Sequence, residues 1–314
     1  MRFQILPADA ADDFLPAKGG SVTERCMLTH ISQIIKQFCT AMTIADILCL
    51  AGLILFGIWL LKTSCGRNAL ADSRPRRNNM PLYLPFIPLF IWFGATSLAV
   101  IIAPKLVGDL QGWQGAFLDN LVLSAGAIAA MVVIIVLARV SFVRRLKGFG
   151  MNVKTIHKDF LAAFVNLLAV WPIVMAAIIL TMFFGKLIYG QGFEVQQHEE
   201  LELITVYPQL PLRILIVVLA VVIAPLLEEM LFRGLFQTAI RSIIEIRNLN
   251  GAWPSILISS TLFAMVHANA GHWPALFVLA VCLGYAYEKS GSLFRPIFIH
   301  SFFNAATIIA VLSQ

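Results

Sequence analysis

The sequence predicts an all-α fold, a polytopic integral membrane bundle of about eight transmembrane helices. Of the 314 residues, 59% are hydrophobic and only 13% are charged, whereas a typical soluble domain has about 25% charged residues. The mean hydropathy is +0.84. Apolar stretches of about 20 residues, the length that crosses a bilayer, recur along most of the chain. Together these observations exclude a soluble domain.

Eight apolar stretches are candidate membrane spans. They are residues 44–61, 81–103, 119–138, 160–185, 212–236, 253–270, 275–288 and 295–313. The seventh is short for a span, so we expect it to be tilted or partly buried, with Glu288 at its interfacial end. Residues 1–43 form a polar tail that lacks the apolar core of a signal peptide. The chain is therefore predicted to consist of this tail, N-terminal membrane helices over 44–200 and a C-terminal core over 201–314.

Basic residues cluster in the loops at 62–80 and 139–159. The positive-inside rule places both loops in the cytoplasm, and alternation then puts the acidic 186–211 loop and both termini outside. The net charge of +6 arises largely from these loops and does not indicate binding to nucleic acid. The five cysteines form no C-x-x-C pair, which predicts neither a disulfide framework nor a zinc motif.

The fifth span contains two adjacent glutamates in the stretch APLLEEMLFRG, residues 224–234. A charge near the bilayer centre costs about 2.5–3.5 kcal/mol, so these carboxylates need a compensating interaction. Glu229 and Arg233 are four residues apart and are predicted to pair on one helix face, whereas Glu228 lies about 100° around the helix. Pro225 is expected to kink the helix or to begin a new one. Both glutamates would then lie in a first turn, where free N–H groups favour negative charge.

Two later spans contain polar residues at helical spacing. His267 follows Phe263 by four residues and Asn304 follows His300 by four, so each pair shares a helix face. Taken singly, these residues fit buried structural histidines or interhelical hydrogen bonds worth about 0.6 kcal/mol each, and the glutamates fit a structural ion pair. Because the first four spans contain almost no such groups, their concentration over 224–304 favours a functional site.

A carboxylate, two imidazoles and a carboxamide suit the hydrolysis of an acyl bond. No serine is placed as a nucleophile, because Ser301 follows His300 directly and adjacent residues point apart on a helix. Water is then the simplest nucleophile, with a glutamate as its general base and a histidine to orient it. The amide and an imidazole N–H suit a developing oxyanion. A zinc site formed by Glu228, His267 and His300 is an alternative, disfavoured because the chain has no H-E-x-x-H motif.

These three polar segments resemble the motifs of a known family. EEMLFR fits E-E-x-x-x-R, Phe263 to His267 fits F-x-x-x-H, and His300 to Asn304 fits H-x-x-x-N. In this order, and each on an apolar helix, they resemble the CPBP family of CAAX proteases and bacteriocin-processing intramembrane proteases. Its eukaryotic members are the CAAX prenyl endopeptidases. The resemblance covers about residues 212–310.

The resemblance implies an intramembrane endopeptidase with a C-terminal catalytic core and a glutamate mechanism that needs no metal. In this family pattern Glu228 and His267 activate the water, while His300 and Asn304 form the oxyanion site. Glu229 belongs to the same catalytic motif. The supporting residues are Arg233 and Phe263.

The implied partners are membrane lipid and a peptide or lipid-modified protein substrate, and the implied location in a bacterium is the plasma or inner membrane. Two alternatives stay open. One is a non-catalytic membrane protein of the bacteriocin-immunity or scaffold type. The other is a transporter that uses Glu228 and Glu229 for protons, although a transporter is expected to show repeat symmetry and the sequence has no visible repeat.

The span boundaries conflict with this site in one respect. At 1.5 Å per residue, Glu228 would lie about 6 Å past the middle of its helix towards the inside. His267 would lie about 8 Å past the middle of the next helix towards the outside. We expect helix tilt and the Pro225 position to bring the two side chains to one depth.

Overall fold

The computed structural model describes residues 43–108, 110–195, 199–246 and 250–313. Within these ranges the regular structure is helical, apart from an isolated bridge between Asn78 and Phe142. The predicted all-α fold is therefore confirmed. The chain divides into two compact units, Met1–Leu48 and Cys49–Gln314. The predicted tail lies almost entirely outside the described residues, and the predicted division at residue 200 stays a prediction.

Ten helices account for most of the described residues. They are α1 (Ile44–Lys62), α2 (Phe86–Val107), α3 (Trp113–Ser141), α4 (Arg145–Phe149), α5 (Ile156–Tyr189), α6 (Glu199–Val206), α7 (Leu210–Ile246), α8 (Ala252–Met265), α9 (Trp273–Ser290) and α10 (Phe294–Leu312). Short 3₁₀ turns at Val153–Thr155 and Ala270–His272 lead into α5 and α9.

The first unit is described only over residues 43–48, where α1 begins. Thr43 and Asp46 cap this end reciprocally. The Asp46 N–H donates to Thr43 Oγ1 at 3.2 Å, and the Thr43 N–H donates to Asp46 Oδ2 at 2.9 Å. Such a capping box satisfies N–H groups that have no partner inside the helix, which explains why the helix starts here.

Five helical stretches are long and apolar enough to cross a membrane. They are Trp113–Ser141, Val153–Tyr189, Leu210–Ile246, Ala270–Ser290 and Phe294–Leu312. The chain is thus an integral, multi-pass membrane protein. Two further apolar helical stretches, Phe86–Ile102 and Ala252–Met265, are shorter. The predicted number of about eight spans is not confirmed.

The outer surface of the second unit is apolar, as a lipid-facing surface must be. Helix α5 alone exposes a series of large hydrophobic side chains: Phe160, Leu161, Phe164, Phe183, Phe184, Leu187 and Ile188. A soluble protein rarely exposes contiguous apolar surface on this scale. The exposed side chains therefore support the assignment of α5 as a membrane span.

Helix α7 positions the candidate site, and its backbone is unusual. Two π-helical stretches, Leu219–Ile223 and Met230–Gln237, flank the α-helical stretch Ala224–Glu229, which contains Pro225. The backbone stays right-handed helical through all three stretches. The widened turn over Leu219–Ile223 accommodates Pro225, which lacks an N–H and crowds the preceding turn.

A new helix does not begin at Pro225, so that part of the prediction is wrong. Glu228 and Glu229 lie in the middle of a continuous helix instead of in its first turn. Their negative charge is consequently not stabilised by the free N–H groups of a helix end, and compensation must come from other side chains.

The core around α7 is closely packed at Gly234. A Cβ atom at this position would lie 2.2 Å from the Phe149 ring, a distance that side chains do not tolerate. Phe149, at the end of α4, is fully buried, and its backbone carbonyl accepts a hydrogen bond from the Tyr287 hydroxyl at 2.9 Å. The absence of a side chain at Gly234 therefore allows α4 to pack directly against α7, one residue after Arg233.

Candidate active site

The buried ion pair predicted between Glu229 and Arg233 is confirmed. Both residues are fully buried, and Arg233 Nη1 donates to Glu229 Oε1 at 2.9 Å. Arg233 Nη2 donates to the backbone carbonyl of Ala280 in α9 at 3.2 Å. Its guanidinium carbon lies 4.5 Å from the centroid of the Phe263 ring in α8, a favourable cation–π distance. Arg233 thus connects three helices.

His300 lies between the two glutamates. Its Nδ1 is 3.0 Å from Glu229 Oε1, the oxygen that also accepts from Arg233. Since an ionised carboxylate only accepts hydrogen bonds, Nδ1 carries the hydrogen. The other ring nitrogen, Nε2, lies 3.9 Å from Glu228 Oε2. Helix α10 therefore brings one imidazole against both carboxylates of α7.

Glu228 differs from Glu229 in having no hydrogen-bonded side-chain partner within the described residues. One oxygen of each carboxylate, Oε2, is buried and makes no hydrogen bond. The other oxygen of Glu229 accepts hydrogen bonds from Arg233 and His300. A buried polar atom without a partner typically costs about 1–3 kcal/mol. His300, His267, Glu229 and Arg233 lie close enough to Glu228 to interact electrostatically with its carboxylate. The predicted contrast is confirmed in that Arg233 pairs with Glu229 and not with Glu228, whose nearest charged contact is His300 Nε2 at 3.9 Å.

His267 lies two residues beyond the end of α8. Its Nδ1 is 2.8 Å from the Phe263 carbonyl oxygen. A carbonyl only accepts, so Nδ1 carries the hydrogen and Nε2 is an acceptor in the neutral ring. The indole N–H of Trp273 donates to the His267 carbonyl at 2.9 Å. These two bonds fix both the ring and the backbone of His267.

Phe263 brings the two histidines together. Its ring centroid lies 5.0 Å from that of His267 and 5.8 Å from that of His300. His300 also lies against Glu228, so these contacts bring His267 and Glu228 into one site, although the predicted span boundaries placed the two side chains at different depths in the membrane. Helix α8 ends at Met265, five residues before the predicted end at 270, so His267 is not part of the apolar helix from which its depth was calculated.

Asn304 makes a hydrogen bond to a backbone carbonyl of α7 that Pro225 leaves without its usual donor. Its Nδ2 donates to the Ala220 carbonyl at 2.8 Å. In this π-helical stretch the Ala224 N–H donates five residues back, to the Leu219 carbonyl. The equivalent donor for Ala220 would be the N–H of Pro225, which proline lacks. Asn304 supplies the missing donor and ties α10 to α7.

The motif residues lie on α7, on α8 with the residues that follow it, and on α10, and they meet around the Glu229–Arg233 pair. Residues 210–306 match the Rce1-like family, described as type II CAAX prenyl endopeptidase Rce1-like. This match confirms the resemblance inferred from the three motifs. Comparison with curated proteins and with solved structures gave no match.

The Rce1-like match starts at the first residue of α7 and ends within α10, so it contains every motif residue. The matched family is described as one of CAAX prenyl endopeptidases, which supports a peptide hydrolase.

The zinc alternative has no preformed ligand set. Across the parts of the chain that the structure describes, no group of three or more His, Cys, Asp and Glu side chains is arranged to hold a metal ion. Glu228, His267 and His300 would have to rearrange to coordinate one together. This is a property of the side-chain arrangement and leaves the metal requirement to be tested directly.

A second group of buried polar side chains lies further along α7 and was not predicted from the sequence. We name it the Glu288 cluster, and it consists of Ser73, Gln237, Arg241 and Glu288. Gln237 Nε2 donates to Glu288 Oε1 at 3.0 Å, and Ser73 Oγ donates to Glu288 Oε2 at 3.1 Å. The Arg241 guanidinium also donates to Glu288 Oε2. Glu288, expected at the membrane interface, is enclosed by protein groups.

A spacing of four residues could have revealed this cluster. Glu229, Arg233, Gln237 and Arg241 follow one another at intervals of four and form a polar stripe along α7. The predicted fifth span ended at 236, whereas α7 continues to Ile246. The premature boundary removed Gln237 and Arg241 from the helix and hid the stripe.

Proposed function

We propose that the protein is an intramembrane endopeptidase that hydrolyses a peptide bond with a water molecule activated by Glu228. One observation carries the proposal. Glu228 has a buried carboxylate oxygen without a hydrogen-bond partner, 3.9 Å from a histidine nitrogen, within the stretch that matches a protease family. Glu229 also has such an oxygen, but its other oxygen is bound to Arg233 and His300, whereas the Glu228 carboxylate has no such bonds and can accept a proton from water.

The proposed nucleophile is a water between Glu228 and the two histidines. The 3.9 Å separation of Glu228 Oε2 and His300 Nε2 is too long for a direct hydrogen bond and suits a bridging water. One proton of the water points to Glu228. The second needs another acceptor, and Nε2 of neutral His267 is one, because its Nδ1–H is committed to Phe263.

Hydrolysis then follows a balanced sequence of transfers. The water oxygen bonds to the carbonyl carbon of the scissile peptide as its proton passes to Glu228. The carbonyl oxygen becomes an oxyanion. When the C–N bond breaks, Glu228 returns the proton to the leaving amine. A positioned general base typically accelerates such a step by about 10²–10⁴.

His300 and Asn304 are the proposed donors to the oxyanion. His300 already donates from Nδ1 to Glu229, and as an imidazolium it also donates from Nε2 into the gap beside Glu228. Asn304 has two N–H bonds, of which the Ala220 carbonyl uses one. The remaining one is available to the oxyanion. Glu229 and Arg233 hold His300 in this orientation through their shared hydrogen bonds.

The first substrate to test is a peptide with a prenylated C-terminal tail. The matched family is described as a CAAX prenyl endopeptidase family, and a site reached through lipid suits a peptide that carries its own lipid anchor. One observation favours the non-catalytic scaffold as a second candidate, since the bond from Asn304 to Ala220 gives that residue a structural role independent of catalysis.

The decisive experiment is a cleavage assay on purified protein in lipid nanodiscs. Wild type, Glu228→Ala and the control Glu202→Ala are each incubated with a prenylated CAAX peptide and its unprenylated counterpart, and products are identified by mass spectrometry. Glu202 is an exposed glutamate in α6, so its loss is expected to leave cleavage intact. Wild type and the control are expected to cleave, and Glu228→Ala is not.

The outcomes separate the proposal from the scaffold alternative. Cleavage by a folded Glu228→Ala protein at the wild-type rate would remove Glu228 from the mechanism. Failure of wild type to cleave either peptide would favour the scaffold. Equal cleavage of the two peptides would keep the endopeptidase and reject the preference for a prenyl group.

A further inference from the structure

A concave surface follows the end of helix α3 and is lined almost entirely by cations. Its lining residues are Arg139, Arg144, Arg145, Leu146 and Lys147, around a cavity of about 520 Å³. We call it the basic pocket. All four cationic residues are exposed, and none forms an ion pair with a carboxylate within the described ranges. The pocket therefore gathers positive charge with which no carboxylate of the described residues forms an ion pair.

The backbone holds these cations in place. Arg145 has a φ of 52°, in the left-handed region that non-glycine residues seldom adopt. The turn is fixed by hydrogen bonds from the Arg145 N–H to the Phe142 carbonyl at 2.8 Å and from the Val143 N–H to the Arg77 carbonyl at 3.2 Å. Buried Phe149 anchors the helix that follows. The clustering is thus built into the fold, despite the repulsion between like charges.

The positive-inside rule explains why cations are present here but not why they converge on one cavity. Two exposed apolar residues next to the lining residues Arg139 and Arg144 in the sequence supply the missing information. Val140 and Val143 are 76% and 71% exposed, and they flank the end of a helix that is long enough to span a membrane. Adjacent cationic and apolar surface matches a molecule with an anionic head and a hydrocarbon tail.

We propose that the basic pocket binds the phosphate headgroup of an anionic phospholipid, with Val140 and Val143 against the start of its acyl chains. Basic pockets at the ends of membrane helices bind such headgroups through the same electrostatics. A free phosphate shares the anionic chemistry but gains nothing from the exposed valines, and phosphatidylcholine shares the chains but carries no net charge. This inference does not depend on the proposed peptidase activity.

The test measures lipid binding by the full-length protein in detergent micelles. Short-chain phosphatidylglycerol is titrated into wild type, into Arg144→Gln/Lys147→Gln and into the control Lys154→Gln/Lys158→Gln. The control removes the same charge from the same basic stretch of sequence, residues 139–159, but outside the pocket lining. Since each cation near an anionic membrane surface contributes roughly fivefold, the pocket variant is expected to bind about 25-fold more weakly. The control is expected to bind like wild type.

Phosphatidylcholine and inorganic phosphate are titrated in parallel to identify the source of binding. Equal affinity for phosphatidylglycerol and phosphatidylcholine would overturn the proposal, as would an equal loss of affinity in the pocket and control variants. Saturable binding of inorganic phosphate as tight as that of the lipid would reject the headgroup assignment. If the double variant does not fold, Arg139→Gln takes its place, with an expected loss of about fivefold.

Discussion

Helix α7 contributes to two buried polar clusters that differ in how completely their hydrogen bonds are satisfied. The motif cluster consists of Glu228, Glu229, Arg233 and His300, and the Glu288 cluster is centred on a single carboxylate. In the Glu288 cluster both carboxylate oxygens have donors, from Gln237 on one side and from Ser73 and Arg241 on the other.

The motif cluster leaves three buried polar atoms without partners, Glu228 Oε2, Glu229 Oε2 and Arg233 Nε, two of them on carboxylates, whereas the Glu288 cluster leaves one, the amide oxygen Gln237 Oε1. Buried polar groups are nearly always paired in folded proteins, so each exception requires an explanation. A buried carboxylate with donors on both oxygens, as in Glu288, holds helices together and has no oxygen left for a ligand. An incomplete network retains acceptors and donors for water and substrate. The comparison thus predicts chemistry at one cluster and stability at the other.

The largest effect is expected from Glu228→Gln, which keeps the shape of the side chain and removes the basic oxygen. Turnover of the cleaved peptide should fall by about 10²–10⁴, the range for loss of a general base. The melting temperature should stay near that of wild type, because Glu228 has no hydrogen-bonded partner to lose at Oε2. A folded Glu228→Gln protein with full activity would contradict the comparison at its central point.

The opposite pattern is expected from Glu288→Ala. This change removes the buried carboxylate partner of the Arg241 guanidinium and leaves only the partly exposed Glu245. Breaking a buried pair in this way typically costs about 3–5 kcal/mol. Thermal or denaturant unfolding in micelles should show the loss, while the fraction that remains folded should cleave at the normal rate per molecule.

Glu245→Ala is the matched control for Glu288→Ala. Glu245 also pairs with Arg241, at 3.3 Å, but about a third of its side chain is exposed. Exposed pairs contribute about 0–1 kcal/mol, so its loss should be small. Equal destabilisation by the two changes would show that burial is not what makes the Glu288 cluster stabilising.

The sequence predicted those features that depend on the residues of a single helix. Hydropathy located the five helical stretches that are long and apolar enough to cross a membrane, and four-residue spacing placed Glu229 beside Arg233. The course of α7 could not be predicted, because proline usually interrupts a helix and only the three-dimensional structure shows a π-helical stretch with Asn304 supplying the missing donor. The partners of Glu288 were also inaccessible, since Ser73 lies 215 residues away along the chain.

The third prediction concerns Asn304, which is proposed to act in catalysis, like Glu228, and also makes an interhelical hydrogen bond, as the Glu288 cluster does. If its second N–H serves the oxyanion, Asn304→Leu should lower turnover by about 10²–10³, the usual cost of one oxyanion donor. Its bond to the Ala220 carbonyl is an interhelical hydrogen bond, worth about 0.6 kcal/mol, so the melting temperature should change little. Activity and melting are measured on the same preparations.

Asn304→Ala separates loss of the amide from loss of volume and should behave like Asn304→Leu. If both variants melt early and their folded fraction cleaves normally, Asn304 belongs with the stabilising residues. The catalytic interpretation of α10 would then rest on His300 alone.

The smallest effect is expected from removing metal. Glu228, His267 and His300 are not arranged to coordinate an ion together, and a hydrogen on Nδ1 of each histidine is committed to a neighbouring oxygen. A water activated by Glu228 needs no Lewis acid. Prolonged treatment with a strong chelator should therefore leave both turnover and melting temperature unchanged, and elemental analysis of the active protein should find no stoichiometric transition metal.

A glutamate that acted as a zinc ligand would give the reverse result, with activity lost on chelation and restored by added zinc. That result would mean that the side chains rearrange around an ion and that the unpaired oxygens of the motif cluster are ligand positions.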